Sequence, residues 1–290
     1  MHRRPLLAAL SATLLARPAL AQDSWPTRPI TLVVPWAPGG SNDVVARLVA
    51  PALSERLGQS VVVENRPGGG GSIGMGQVAR ARPDGHTLLI SSASNHVFHP
   101  LVSPDLGYDV REALHGIAMM VDVPNVLAVN PGLGVSTVPD LLARIRATPG
   151  GLAFGSSGTA SSNHLAGELF RMLTNVEMTH VPYRGGGPVA TDLIAGTIPT
   201  AFMNLPTVIG PMASGRIRVI GVCTEERVRV RPDIPTVAEQ GVPGYAVRSW
   251  TGLFAPRGTP RPAIDRMAEE TRAALDSATI RARLTELASE

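Results

Sequence analysis

Ile30-Thr31-Leu32-Val33-Val34 runs into Pro38-Gly39-Gly40-Ser41-Asn42-Asp43, and then Val44, Val45, Leu48, Val49, Ala52, Leu53 and Leu57 follow at helical spacing. The apolar, β-branched run reads as a buried strand and the glycine pair as a tight turn. The stripe after it reads as a helix that ends at Gly58 and kinks at Pro51. Strand, glycine turn and helix together are one unit of a parallel sheet.

The same rhythm recurs on both sides of this unit. Strand-like runs lie at 61–63, 87–90, 126–129, 152–154, 178–181, 200–203 and 217–222, with segments able to form helices between them. Pro139-Asp140 opens a helix with Leu141, Leu142 and Ile145 inward, and Ser161 or Ser162 caps another that carries Leu165, Leu169, Met172 and Leu173 inward. The tail from Pro262 is helical. No repeat of fixed period is visible. With 44% hydrophobic residues in 290, the chain can fill two cores. The rhythm pauses near 122–126 and again near 222–228, which predicts an α/β protein of two hinged lobes: 22–124 for lobe 1, 125–224 for lobe 2, and 225–290 returning to lobe 1.

Arg3 and Arg4, the apolar stretch 6–15 and Ala19-Leu20-Ala21 have the form of a cleavable export leader over 1–21, with the mature chain starting near Gln22; the arginine pair leaves the export route open. The stretch is too short to cross a bilayer core, which takes roughly 20 apolar residues. The formal charge of +3 belongs to Arg3, Arg4 and Arg17 of this leader, so the remainder is formally neutral and offers no field for nucleic acid. Cys223 is the one cysteine and has no partner for a disulfide.

Three glycine-rich turns stand between a strand and a helix: 38–43, 155–162 and 183–188. Glycine lets a backbone approach closely, and the amides at a helix start favour an anion. The second turn adds hydroxyls; the third adds Tyr183 and the planar fork of Arg184. Strand ends in open α/β sheets face the ligand crevice, so the three turns are expected to converge on one site.

Several segments in order resemble the extracytoplasmic solute receptors of tripartite tricarboxylate transporters, the Bug family. They are Trp25-Pro26-Thr27-Arg28-Pro29-Ile30, the 34–43 segment, Val63-Glu64-Asn65-Arg66-Pro67-Gly68, the 183–188 turn, Asp233-Ile234-Pro235-Thr236-Val237-Ala238-Glu239, and Ser249-Trp250-Thr251-Gly252-Leu253-Phe254-Ala255-Pro256. The resemblance implies a type II periplasmic-binding fold with mostly parallel sheets, a periplasmic location, no cofactor and no metal. It also implies a small carboxylate held between the lobes and delivered to a membrane permease; the receptor is expected to be a monomer. Carried over, Gly39, Gly40 and Asp43 form the grip of lobe 1, and Ser156, Thr159, Ser161, Tyr183 and Arg184 that of lobe 2. Trp36, Ser92, Gly185 and Asn204 complete the expected contacts. The family often has Lys at the position of Arg184, and a further helix beyond the equivalent of Glu290, so one face of lobe 1 is expected to be uncovered.

Rival readings are weaker. Gly69-x-Gly71-x-x-Gly74 fits a dinucleotide fingerprint, but it sits in a run of four glycines with no acid about 20 positions on. Gly155-Ser156-Ser157-Gly158-Thr159 lacks the last glycine of a hydrolase elbow. His96-x-x-His99, with His164 and His180, has no recognised zinc spacing.

Overall fold

The computed structural model describes residues 25–103 and 106–289; the expected leader lies outside them. The opening unit forms as read: β1 (Ile30–Val34), then α1 (Ser41–Leu57) running through Pro51 to a left-handed Gly58, then β2 (Val61–Asn65). α2 (Ser72–Ala79) and β3 (Thr87–Ser92) follow. A π-turn (Ser94–Phe98) and two single-turn helices, α3 (His99–Val102) and α4 (Val110–Ala113), lead into β4 (Leu114–Asp122). The chain then crosses into β5 (Asn125–Val129), α5 (Val138–Arg146), β6 (Leu152–Ser156), α6 (Ser162–Thr174), β7 (Met178–Pro182), α7 (Gly186–Ala195), β8 (Thr200–Asn204), α8 (Leu205–Ala213) and β9 (Arg218–Val222). It returns as β10 (Trp250–Pro256), α9 (Arg261–Leu275) and α10 (Ala278–Glu286).

Two five-stranded sheets result, ordered β2-β1-β3-β10-β4 in lobe 1 and β7-β6-β8-β5-β9 in lobe 2. Each is parallel except for one inverted strand, the one that has just crossed from the other lobe: β10 runs antiparallel to β3 and β4, and β5 to β8 and β9. The two orders are the same when β1, β2, β3, β4 and β10 are matched with β6, β7, β8, β9 and β5. Strands in the middle of such sheets are covered on both faces, so β5 is buried throughout. Leu127 and Val129 point to the α5–α6 core; Val126 and Ala128 point to the α7–α8 core.

Three expectations change. β4 and β10 were not among the predicted strands; Gly116 and Gly252 interrupt their apolar runs, and their pairing is bulged. Segment 225–249, expected in lobe 1, packs on lobe 2 through Val228, Ile234, Val237 and Tyr245, so the return crossing falls just before β10. α6 turns its small face inward: Ala166, Gly167 and Phe170 are buried, whereas Met172 is 70% and Leu173 43% exposed. The reason is steric, since a Cβ on Gly167 would lie 2.2 Å from the Phe154 ring.

Candidate functional site

At the junction of the lobes α1 begins from lobe 1 and α6 from lobe 2. α1 starts after Gly40, which has no side chain to cap it. The turn before it is held by Asp43: Gly39 N donates to one carboxylate oxygen (2.9 Å), and Arg47 Nε (3.0 Å) and Asn65 Nδ2 (2.9 Å) donate to the other. Asn65 also donates to the Trp36 carbonyl at 3.0 Å. Burial pushes the Asp43 pKa up, but these bonds outweigh it and hold the carboxyl below its ordinary range. Asp43 is thus spent on shaping the turn.

α6 starts at Ser161, whose Oγ accepts from His164 N (3.1 Å) and donates to the Gly158 carbonyl (2.7 Å). Ser156 is fully buried; its Oγ lies 2.6 Å from His180 Nε2 and also bonds within the turn, to the Gly158 carbonyl and amide. His180 is pushed down to about 4 by burial and by His164, whose ring stacks on it at 4.0 Å, against the opposing pull of Glu168.

Between the two helix starts lies a polar chamber. Trp36, Gly40, Ser41, Asn42, Ser92, Ser94 and Ser249 line it from one side, and Ser157, Ser161, Ser162, Asn163, Gly186 and Asn204 from the other. Seven serines and three asparagines line it and no charged side chain does, so an anion held there must be held by neutral donors and helix starts. Asn42 Nδ2 and, just behind the wall, Asn125 Nδ2 are buried donors without a partner. With the lobes together, water centres have only about 20 Å³ in it, room for about one molecule.

The lobes meet through both backbone and side-chain hydrogen bonds. Ala37 N donates to the Arg184 carbonyl (3.0 Å), Ser162 N to Ser94 Oγ (2.9 Å), and Ser41 Oγ to Asn204 Oδ1 (3.3 Å). A Cβ on Gly187 would lie 2.3 Å from the Pro38 carbonyl oxygen, and one on Gly185 2.9 Å from Ala37 N. Gly185 and Gly187 of the third turn therefore admit the other lobe; of the glycines in the first and third turns, Gly40 and Gly186 line the chamber.

Of the twelve residues expected from the sequence, Trp36, Gly40, Ser92, Ser161 and Asn204 line the chamber. Thr159, Tyr183 and Arg184 instead face an outer crevice of about 720 Å³, which Trp36 also lines. There Tyr183 Oη donates to Asp192 (2.7 Å), and burial together with that carboxylate raises its pKa to about 12. Gly39, Asp43, Ser156 and Gly185 shape the turns. Sequence reasoning missed Ser41, Asn42, Ser94, Ser157, Ser162, Asn163, Gly186 and Ser249. The signal for most of them was position, the first residues of a helix after a glycine turn; Ser249 carried none.

The rival readings lack their geometry. Ser157 donates to Asn163 and not to a histidine. Gly69 and Gly70 give their carbonyls to His99 Nε2 (2.8 Å) and Asn95 Nδ2 (3.0 Å), which pins the run against lobe 1. His96 stacks on Phe254 at 3.8 Å, and burial lowers its pKa to about 4. Trp250 stands beside that pair and does not line the chamber.

Fold and site together define a type II periplasmic-binding protein, a two-lobed receptor that closes on a solute. Residues 45–290 match the profile of the tripartite tricarboxylate transporter family receptor, and the chain belongs to that family. Its members are periplasmic solute receptors and not enzymes. Protein BugT of Bordetella pertussis is 40% identical over 246 residues, 84% of this chain and 75% of that one. Among solved structures, Rpa4515 of R. palustris with adipate is 39% identical with a TM-score of 0.89, covering 92% of this chain and 89% of that one. MatC (Rpa3494) from Rhodopseudomonas palustris with bound malate is 32% identical with a TM-score of 0.86, covering 91% and 90%.

Proposed function

We propose that this receptor captures a small dicarboxylate, with one carboxylate in the polar chamber and the other directed past Trp36 towards Arg184, and delivers it to a membrane permease. The observation that carries the reading is the chamber itself: the starts of α1 and α6 face it from opposite lobes, and no acid or base lines it. Helix starts favour an anion at their amides, and the uncapped α1 leaves its amides free for one. Arg184 is exposed in the adjoining crevice, where a second carboxylate could meet its planar fork. The solutes named for two relatives, adipate and malate, are both dicarboxylates. Export by cleavage near Gln22 and action as a monomer belong to the same proposal. Isothermal titration against mono-, di- and tricarboxylates tests it: a diacid is expected to bind more tightly than the monoacid of equal chain length, and Arg184→Ala to abolish that preference. Failure of every carboxylate to bind would overturn the reading.

A further inference from the structure

Asn125 is fully buried at the start of β5, immediately after the crossing between lobes, and does not line the chamber. Its Oδ1 accepts from Asn204 Nδ2 at 2.6 Å, and from Ser162 Oγ and Asn163 Nδ2 at 3.4 Å each. All three donors line the chamber, two from the first turn of α6 and one from the end of β8. Asn204 in turn accepts from Ser41 of lobe 1. One buried oxygen thus orders three ligand-facing side chains and, through one of them, the seam between the lobes.

Those contacts ask only for an acceptor. A carboxylate of the same shape would supply it and would leave no orphaned donor, whereas the amide leaves Nδ2 without a partner. The difference that matters is charge. We infer that Asn125 is a positioning residue of the binding site, aligning the donors of lobe 2 while keeping negative charge away from the bound anion. This rests on the receptor reading above.

The titratable groups around it are few. Cys223, whose amide donates to the Asn125 carbonyl (2.8 Å), is buried with its thiol pushed up to about 12; Asp122 ends β4 at the surface; His164 and His180 lie on α6 and β7.

The test is titration of adipate and malate into full-length mature wild type, Asn125→Asp and Asn125→Ser between pH 5 and 8, each affinity read as a ratio to wild type at the same pH. The ratio cancels protonation of the ligand and of the two histidines. Asn125→Asp is expected to bind at least about tenfold more weakly at pH 7.5 and to recover as the pH falls. Unlike Asp43, which is paired with Arg47, the new carboxyl would be fully buried among neutral donors, two of them 3.4 Å away, so burial raises its pKa, and its protonated form is neutral. Asn125→Ser, too short to reach the three donors, is expected to be weaker at every pH and to carry the test if Asn125→Asp does not fold. A merely structural role would lower the melting temperature without a pH-dependent ratio. Wild-type affinity in either variant, or a loss in Asn125→Asp that does not recover, overturns the inference. No binding by wild type sinks the receptor reading and this inference with it.

Discussion

Lobe 1 and lobe 2 lay their strands in one order, and in each the helix after the first parallel strand starts at the chamber, yet they hold that start by different chemistry. In lobe 1 the turn is clamped by a carboxylate that takes three donors, from Gly39, Arg47 and Asn65. In lobe 2 the corresponding turn is held by hydroxyls, Ser156 against His180 and Ser161 against its own helix. A shared topology therefore fixes where an anion can sit, and leaves open whether the support is charged or neutral. The charged support, next to the chamber-lining Asn42 in the first turn of α1, does not itself line the chamber and is paired with Arg47, so neither lobe presents net negative charge to the ligand.

The comparison breaks most sharply at the seam. Gly187 lies in the first turn of α7 without a positive φ, so alanine suits the separated lobe and improves helix propensity by up to about 1 kcal/mol. Across the seam, however, the added Cβ would sit 2.3 Å from the Pro38 carbonyl oxygen. Gly187→Ala is expected to keep or raise the melting temperature of the free protein while weakening adipate or malate binding by about 100-fold, because the cost falls only on the closed form. Titration and melting of the same sample check this; equal affinity would mean that the lobes do not meet here when ligand is bound.

The two supports can then be weighed against each other. Asp43→Asn turns one of the acceptor oxygens into a donor facing a donor, and should cost about 1–3 kcal/mol of stability and about tenfold in affinity. Ser156→Ala removes a neutral hydroxyl and should cost nearer 1 kcal/mol. Denaturant melts and titrations of the pair rank them; a larger loss for Ser156→Ala would reverse the assignment of the stronger clamp to lobe 1.

Much of this was legible. Strands β1 to β3 and β5 to β9 announce themselves as short apolar runs, several of them β-branched, between turn residues, and the turns at 38–43 and 155–162 do deliver chamber residues. The misreadings have specific causes. In α6 the large side chains of Met172 and Leu173 dominate a hydrophobic count, but the inward face must be small where Gly167 lies against Phe154. Glycine freedom was assigned to ligand approach, whereas at Gly185 and Gly187 it serves the approach of one lobe to the other, a contact that local sequence does not encode. Ser249 and Ser94 reach the chamber from beyond β9 and from a π-turn, so only the tertiary fold brings them there. The internal repeat escaped notice because what repeats is strand order and not residue type.

The two lobes also differ in how they respond to pH. His180 titrates near 4 in the fold instead of near 6.5, with burial as the main cause, and His164 beside it is lowered as well. Between those values the unfolded chain binds a proton that the folded chain does not, so their contribution is intact above about 6.5 and is lost progressively as the pH falls towards 4. Asp43 is lowered below 3.8, so its contribution persists above that value and is lost only as the pH falls through its folded pKa. Acid should therefore loosen the support of lobe 2 before that of lobe 1. In denaturant melts at stepped pH, stability should fall between pH 6.5 and 4 by at most about 1.4 kcal/mol per unit for each proton involved. His180→Gln, which can keep a nitrogen near Ser156 but does not titrate, should flatten that slope and leave the His164 share. An unchanged slope in His180→Gln would show that the stacked pair is not what makes lobe 2 the acid-sensitive half.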